Sequence, residues 1–212
     1  MPKLHFRFGA MGSGKTMQLL VAVYQYKQTG KKALLIKPKV DVRNGALTVW
    51  SRVPGLSLDA DIVLAQKDFL TPAQEEACLK SDCVFVDEAQ FLHPKHVEQL
   101  SWLSQKVPVI CYGLRSDSRG QLFAGSRALF QWADSFEEIK NVCKYCNRKS
   151  SMNLKVAPTA APSGDATPAK VELGADDLFV GVCKKCFYAR NPDPVLRSCG
   201  VHQYPEIVIV DE

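Results

Sequence analysis

Apolar residues in this chain fall in short runs separated by segments with helical spacing. Residues 3–8 (KLHFRF) alternate and read as a strand. Residues 32–37 (KALLIK), 62–65 (IVLA), 83–86 (CVFV) and 107–112 (VPVICY) are nearly apolar throughout, the pattern of strands covered on both faces of a parallel sheet. Between them, residues 17–26 predict a helix with Met17, Leu20, Val21 and Tyr24 on one face, ended by Gly30 in a left-handed cap. Thr71-Pro72-Ala73-Gln74 opens a second helix: an N-cap threonine, proline at the first position, and a glutamine able to reach back. Pro94 starts a third, running to about residue 105 with Val97, Leu100 and Leu103 inward, and residues 126–132 predict a fourth. Residues 38–60 are expected as a long polar connection, and 136–142 as the last strand of the main sheet. Strands alternating with helices predict an α/β fold with a mostly parallel sheet.

The pattern changes at Cys143. Two Cys-x-x-Cys pairs, Cys143/Cys146 and Cys183/Cys186, bracket a stretch (157–168) of Ala, Pro, Ser and Thr that is too poor in large apolar groups to pack and is expected to be a flexible loop. Short extended runs flank it at 151–156 and 178–182. A short helix is expected after Cys186, and 206–210 (EIVIV) reads as an edge strand or a docking segment. The expected units are a nucleotide-binding domain over 1–142, a zinc-binding domain over 143–190 and a tail over 191–212. With 212 residues, 46% of them hydrophobic, a sizeable core is possible. The net charge of +5 comes without any dense basic block, so no nucleic-acid partner is expected. No apolar run is long enough to span a bilayer, and the N-terminus runs straight into a strand, with no room for a signal peptide. A cytoplasmic location without membrane contact is therefore expected, where the eight cysteines would ligate metal or stay as free thiols.

The chemistry starts at Gly9, Ala10, Met11, Gly12, Ser13, Gly14, Lys15 and Thr16, which fit the phosphate-binding loop pattern between a strand and a helix. The glycines let backbone N–H groups curl around a polyphosphate, the helix N-terminus adds partial positive charge, Lys15 reaches the outer phosphates, and Thr16 holds Mg²⁺. Asp87 follows three apolar strand formers and reads as the second acidic element of the Mg²⁺ site. Glu88, beside it, is placed to take a proton from an attacking oxygen, water or hydroxyl. Cys143, Cys146, Cys183 and Cys186 read as one closed, structural tetrahedral zinc site. Of the other four cysteines, Cys78, Cys83 and Cys111 read as core thiols and Cys199 in the tail is assigned no role, and the four histidines lack ligand spacing.

The phosphate loop, Asp87-Glu88-Ala89-Gln90-Phe91 and the two late cysteine pairs, taken in order, resemble the type II thymidine kinase family. Residues 111–126 (CYGLRSDSRGQLFAGS) are similar to its bacterial branch, and Leu173-Gly174-Ala175-Asp176-Asp177 to its nucleoside-binding loop. The resemblance implies a RecA-like core with a zinc-held lasso closing over the nucleoside. It also implies transfer of the γ-phosphoryl of ATP to the 5′-hydroxyl of thymidine or deoxyuridine, with Glu88 as general base. Lys15, Thr16, Asp87, Gln90 and Arg43 would belong to the ATP and Mg²⁺ side. Met11, Phe91, Leu114, Ser118 and Phe123 would line the thymine pocket, and Lys170, Val171, Glu172, Leu173, Gly174 and Phe179 the lasso side. A homotetramer inhibited by thymidine triphosphate would follow. The chain departs from the family pattern at Ser118, where an aromatic is common, at Phe179, where a tyrosine is usual, and at Gly12-Ser13 within the loop. The alternative reading is a phosphate-loop ATPase whose zinc ribbon acts on nucleic acid.

Overall fold

The structure, a computed structural model, describes residues 1–39, 47–65, 68–156 and 178–191. The chain starts with strand β1 (Leu4–Phe8), the phosphate loop and helix α1 (Lys15–Gln28), followed by β2 (Ala33–Pro38). Two short strands, β3 (Thr48–Trp50) and β4 (Ser57–Asp59), pair antiparallel before β5 (Ile62–Leu64) and helix α2 (Pro72–Leu79). Strand β6 (Cys83–Val86), helix α3 (Pro94–Leu103), β7 (Val109–Gly113), α4 (Ala124–Trp132) and β8 (Ser135–Glu138) complete the main body. Beyond it, β9 (Met152–Lys155) and β10 (Phe179–Val182) pair antiparallel, and α5 (Lys184–Arg190) follows.

Six strands form one sheet in the order β5-β2-β6-β7-β1-β8, and every pairing in it is parallel. Alternation along each strand sorts its side chains to two faces. Leu34, Ile36, Val84, Val86, Leu4 and Phe6 pack against α2, α3 and α4 through Cys78, Val97, Leu100, Leu103 and Leu129. Leu35, Cys83, Phe85 and Tyr112 face the other way, onto Leu19, Leu20 and Val23 of α1 and Val49 of β3. Helices thus cover both faces, as the apolar runs predict. Because β7 lies between β1 and β6, the C-terminal ends of these three strands are neighbours, and the loops leaving them share one crevice.

Three expectations need correction. The inner face of α1 is Leu19, Leu20 and Val23; of the four residues assigned to it, only Leu20 is buried, while Met17, Val21 and Tyr24 are 37%, 42% and 58% exposed. Apolar residues ring this helix almost completely, so spacing alone does not select a face; docking on the sheet does. Residues 38–60 are also more than a connection. Their described part contains the β3–β4 hairpin, with Val49 fully packed under it and the Lys37 ammonium donating to the Thr48 carbonyl at 2.7 Å. Helix α5 starts at Lys184, within the second cysteine pair rather than after it, with the Cys183 sulfur accepting at its N-cap. The expected segments at 157–168 and 206–210 lie outside the described residues.

Candidate active site

The phosphate loop leaves the C-terminal end of β1 and enters α1 through Gly14, whose φ of 80° lies in the left-handed region where a side chain would be strained. Gly12 does the same at 74°. The turn is closed by Ser13 N–H donating to the Ala10 carbonyl at 3.2 Å, and by Gly9 N–H donating to Gly113 of β7 at 3.3 Å. The Lys15 ammonium donates to the carbonyls of Gly9 and Ala10 at 3.3 and 2.9 Å, so its charge already rests at the loop. The Thr16 hydroxyl lies 3.3 Å from both carboxylate oxygens of Asp87, which is 5% exposed at the end of β6. A hard cation fits this pair of oxygen donors, and Thr16 and Asp87 would hold Mg²⁺.

Glu88 takes the left-handed conformation, φ 47° and ψ 39°, the only non-glycine to do so among the described residues. That geometry ends β6 abruptly and turns the chain into the one-turn helix Ala89–Phe91. Its carboxylate accepts from the Gln90 carboxamide, whose oxygen in turn accepts from Leu114 N–H at 2.9 Å. Gln90 is 2% exposed. Gln90, expected on the ATP and Mg²⁺ side, stands between Glu88 and the strand end that carries Leu114.

These groups face a cleft of about 410 Å³. One wall is the phosphate loop from Met11 onward, with Asp87, Glu88 and Leu114 at the sheet end. The opposite wall comes from the β3–β4 hairpin: Thr48, Trp50, Ser51 and Arg52. Arg52 is a further cation at this cleft, with no motif to mark it in the sequence. It sits in a polar stretch with no periodicity, and only the hairpin brings it to the phosphate loop. Phe91 and Phe123 meet edge to face with ring centres 5.7 Å apart. Met11 and Leu114 share the cleft, whereas the Ser118 carbonyl is contacted by Asn191 at 3.5 Å, and Phe179 pairs with Lys155 on the β9–β10 hairpin. Arg43, Lys170, Val171, Glu172, Leu173 and Gly174 lie outside the described residues.

The four late cysteines converge, their sulfurs all within 4.8 Å of one another. Cys146 and Cys183 sulfurs stand 3.6 Å apart, and Cys186 and Cys146 3.8 Å. Four sulfurs at ~2.3 Å from a tetrahedral zinc are necessarily about 3.8 Å apart, so the spacing fits that ion. The amides of Tyr145 and Cys186 donate to the Cys143 and Cys183 sulfurs, each at 3.5 Å. Burial acts to raise the Cys143 thiol, but amide donors and the neighbouring thiol bring it down to about 6. The Cys186 amide likewise lowers Cys183, while burial and its neighbours push Cys186 up to about 12. Were all four sulfurs ionised at this spacing, a cation among them would balance their charge.

The family profile described as thymidine kinase matches residues 2–187. The thymidine kinase of Photobacterium profundum is 38% identical over 190 residues, covering 87% of this chain and 96% of that protein. That of Salmonella typhimurium is 37% identical over 188 residues, with 87% and 90% covered, and that of Xanthomonas oryzae pv. oryzae 39% identical over 193 residues, with 88% and 90% covered. Among solved structures, Bacteroides Pif1 bound to single-stranded DNA is similar over 65% of this chain and 38% of its own, at 16% identity and a TM-score of 0.36, too slight a likeness to argue from. By the profile over nearly its whole length and by relatives at this identity, the chain belongs to the thymidine kinase family.

Proposed function

We propose that the protein transfers the γ-phosphoryl group of ATP to the 5′-hydroxyl of thymidine, and more weakly of deoxyuridine. The observation that supports this most is the placement of Glu88 beside Asp87 in the same cleft as the phosphate loop. The amides from Gly12 to Thr16 would cradle the polyphosphate, with Lys15 and Arg52 as the cations on either wall. Bound Mg²⁺ would neutralise charge on the transferring phosphates. Glu88 would accept the proton of the nucleoside hydroxyl, its orientation set by Gln90. Met11 and Leu114, with the Phe91–Phe123 pair, would supply the apolar surface for a thymine ring.

Further parts of this reading come from the cysteine spacing and from the family resemblance. Cys143, Cys146, Cys183 and Cys186 would hold one structural zinc in a unit beginning near residue 143. Thymidine triphosphate would span both halves of the cleft and compete with thymidine. The chain would assemble as a homotetramer, which sedimentation checks. The test of the activity is a substrate panel with purified protein and ATP. Thymidine should be phosphorylated, deoxyuridine more slowly and purine nucleosides not detectably. Deoxyguanosine preferred over thymidine would overturn the assignment, and ATP consumption driven by single-stranded DNA would favour the ATPase alternative.

A further inference from the structure

The cysteine-bound hairpin grips the backbone of the phosphate loop. Asn153 of β9 is 4% exposed, and its two polar atoms reach across to different parts of the main body. Its Oδ1 accepts from Met11 N–H at 2.8 Å, and its Nδ2 donates to the Ser116 carbonyl at 2.7 Å. Directly across the hairpin, Gly181 is its register partner. A Cβ on Gly181 would stand 2.6 Å from the Met11 carbonyl oxygen and 3.3 Å from the Ala10 Cβ, so the absent side chain is what lets the loop lie this close. Both peptide groups flanking the Met11 Cα are thus in the hairpin's grasp, one by a hydrogen bond and one by contact.

The next residues, Gly12 to Thr16, are those whose amides would face the polyphosphate. Met11 N–H is not needed for that, and without Asn153 it would be a part-buried donor with no protein partner in view. A carboxamide offers a donor and an acceptor in one plane, which a hydroxyl or an aliphatic side chain cannot reproduce over this span. On the reading that the protein is an ATP-dependent nucleoside kinase, we propose that Asn153 is a positioning residue for phosphoryl transfer. It holds the phosphate loop, the segment after β7 that carries Leu114, and the cysteine hairpin in one fixed arrangement. The hairpin then does more than anchor a loop over the nucleoside: it sets the ATP half of the cleft.

The test uses the full chain with Asn153→Ala. It should bind a non-hydrolysable ATP analogue about tenfold more weakly, lose a similar factor in kcat, and show faster amide exchange over residues 9–16 by mass spectrometry. A folded Asn153→Ala protein with ATP affinity, kcat and loop exchange within about twofold of the parent would overturn the proposal, whatever happens to the thymidine KM. Gly181→Ala sets a Cβ 2.6 Å from both the Met11 carbonyl oxygen and the Ser150 Oγ without removing the Asn153 carboxamide, and should weaken ATP binding in the same way. If Asn153→Ala does not fold, Gly181→Ala and Asn153→Ser carry the comparison, and parent-like ATP affinity in both overturns it. A parent that fails to phosphorylate thymidine would sink the kinase reading alone, because the ATP-binding and exchange measurements do not depend on the acceptor.

Discussion

Glu88 shows what a single residue at this site must tolerate. Its left-handed backbone costs an L side chain roughly 1–2 kcal/mol, and such strain persists only where neighbours over-determine it. Here Gln90 holds the carboxylate, and Phe91 N–H donates back to the Glu88 carbonyl at 3.0 Å. The turn aims the carboxylate out of the sheet while Asp87, one residue earlier, stays against Thr16. Two adjacent acids thereby acquire different partners. Glu88→Gln should keep ATP and thymidine binding and lose about 10²–10⁴-fold in kcat, the usual range for removing a general base. Rapid-quench measurement of a single turnover checks it, and a rate within about threefold of the parent would assign Glu88 another role.

At the scale of elements, the start of α3 carries a pH dependence. His96 is 2% exposed, accepts from His93 N–H at 3.2 Å, and places its Nε2 2.7 Å from the Asp68 carbonyl. A neutral ring satisfies both contacts, with Nδ1 accepting and Nε2–H donating. Burial lowers the His96 pKa from its ordinary 6.5, against a smaller opposing pull from the Asp68 carbonyl. Above 6.5 both folded and unfolded chains carry it neutral, and nothing is lost. As pH falls below 6.5 the unfolded chain takes up a proton that the folded chain resists, so stability should decline through that window. Thermal melts from pH 7.5 to 5.5 should show the fall, and His96→Gln should flatten it. An unchanged slope in that variant would place the sensitivity elsewhere.

For the molecule as a whole, the cysteine cluster is where two parts of the chain distant in sequence are joined. Cys143 and Cys146 precede β9, Cys183 and Cys186 follow β10, and the small core of Met152, Leu154, Val182 and Phe187 packs between them. That core is too small to be stable by itself, so a metal is expected to supply much of its folding free energy. Metal analysis of unchelated protein should find one zinc per chain. Cys183→Ser should release it, raise the thymidine KM and, through Asn153, weaken ATP binding. Zinc-free protein of full activity would refute the structural role.

The sequence by itself determined the features that depend on local backbone chemistry. Gly9 to Thr16 form the phosphate loop because glycines and a helix start are a local requirement, and Thr71 caps α2 through a reciprocal bond with Gln74, as the four-residue pattern implies. The apolar runs identified the central strands, since a strand buried on both faces has no polar positions to spare. The cysteine pairs identified their own cluster because ligand spacing reflects the ion. Tertiary structure decided the rest. The buried face of α1 was open in a helix apolar on most sides, until the sheet selected Leu19, Leu20 and Val23. Arg52 reached the cleft only through a short hairpin whose strands of three residues are below what periodicity can resolve. Gln90 and Asn153 hydrogen-bond to backbone groups 24 and 142 residues away in sequence, and a polar side chain carries no local sign of such a partner.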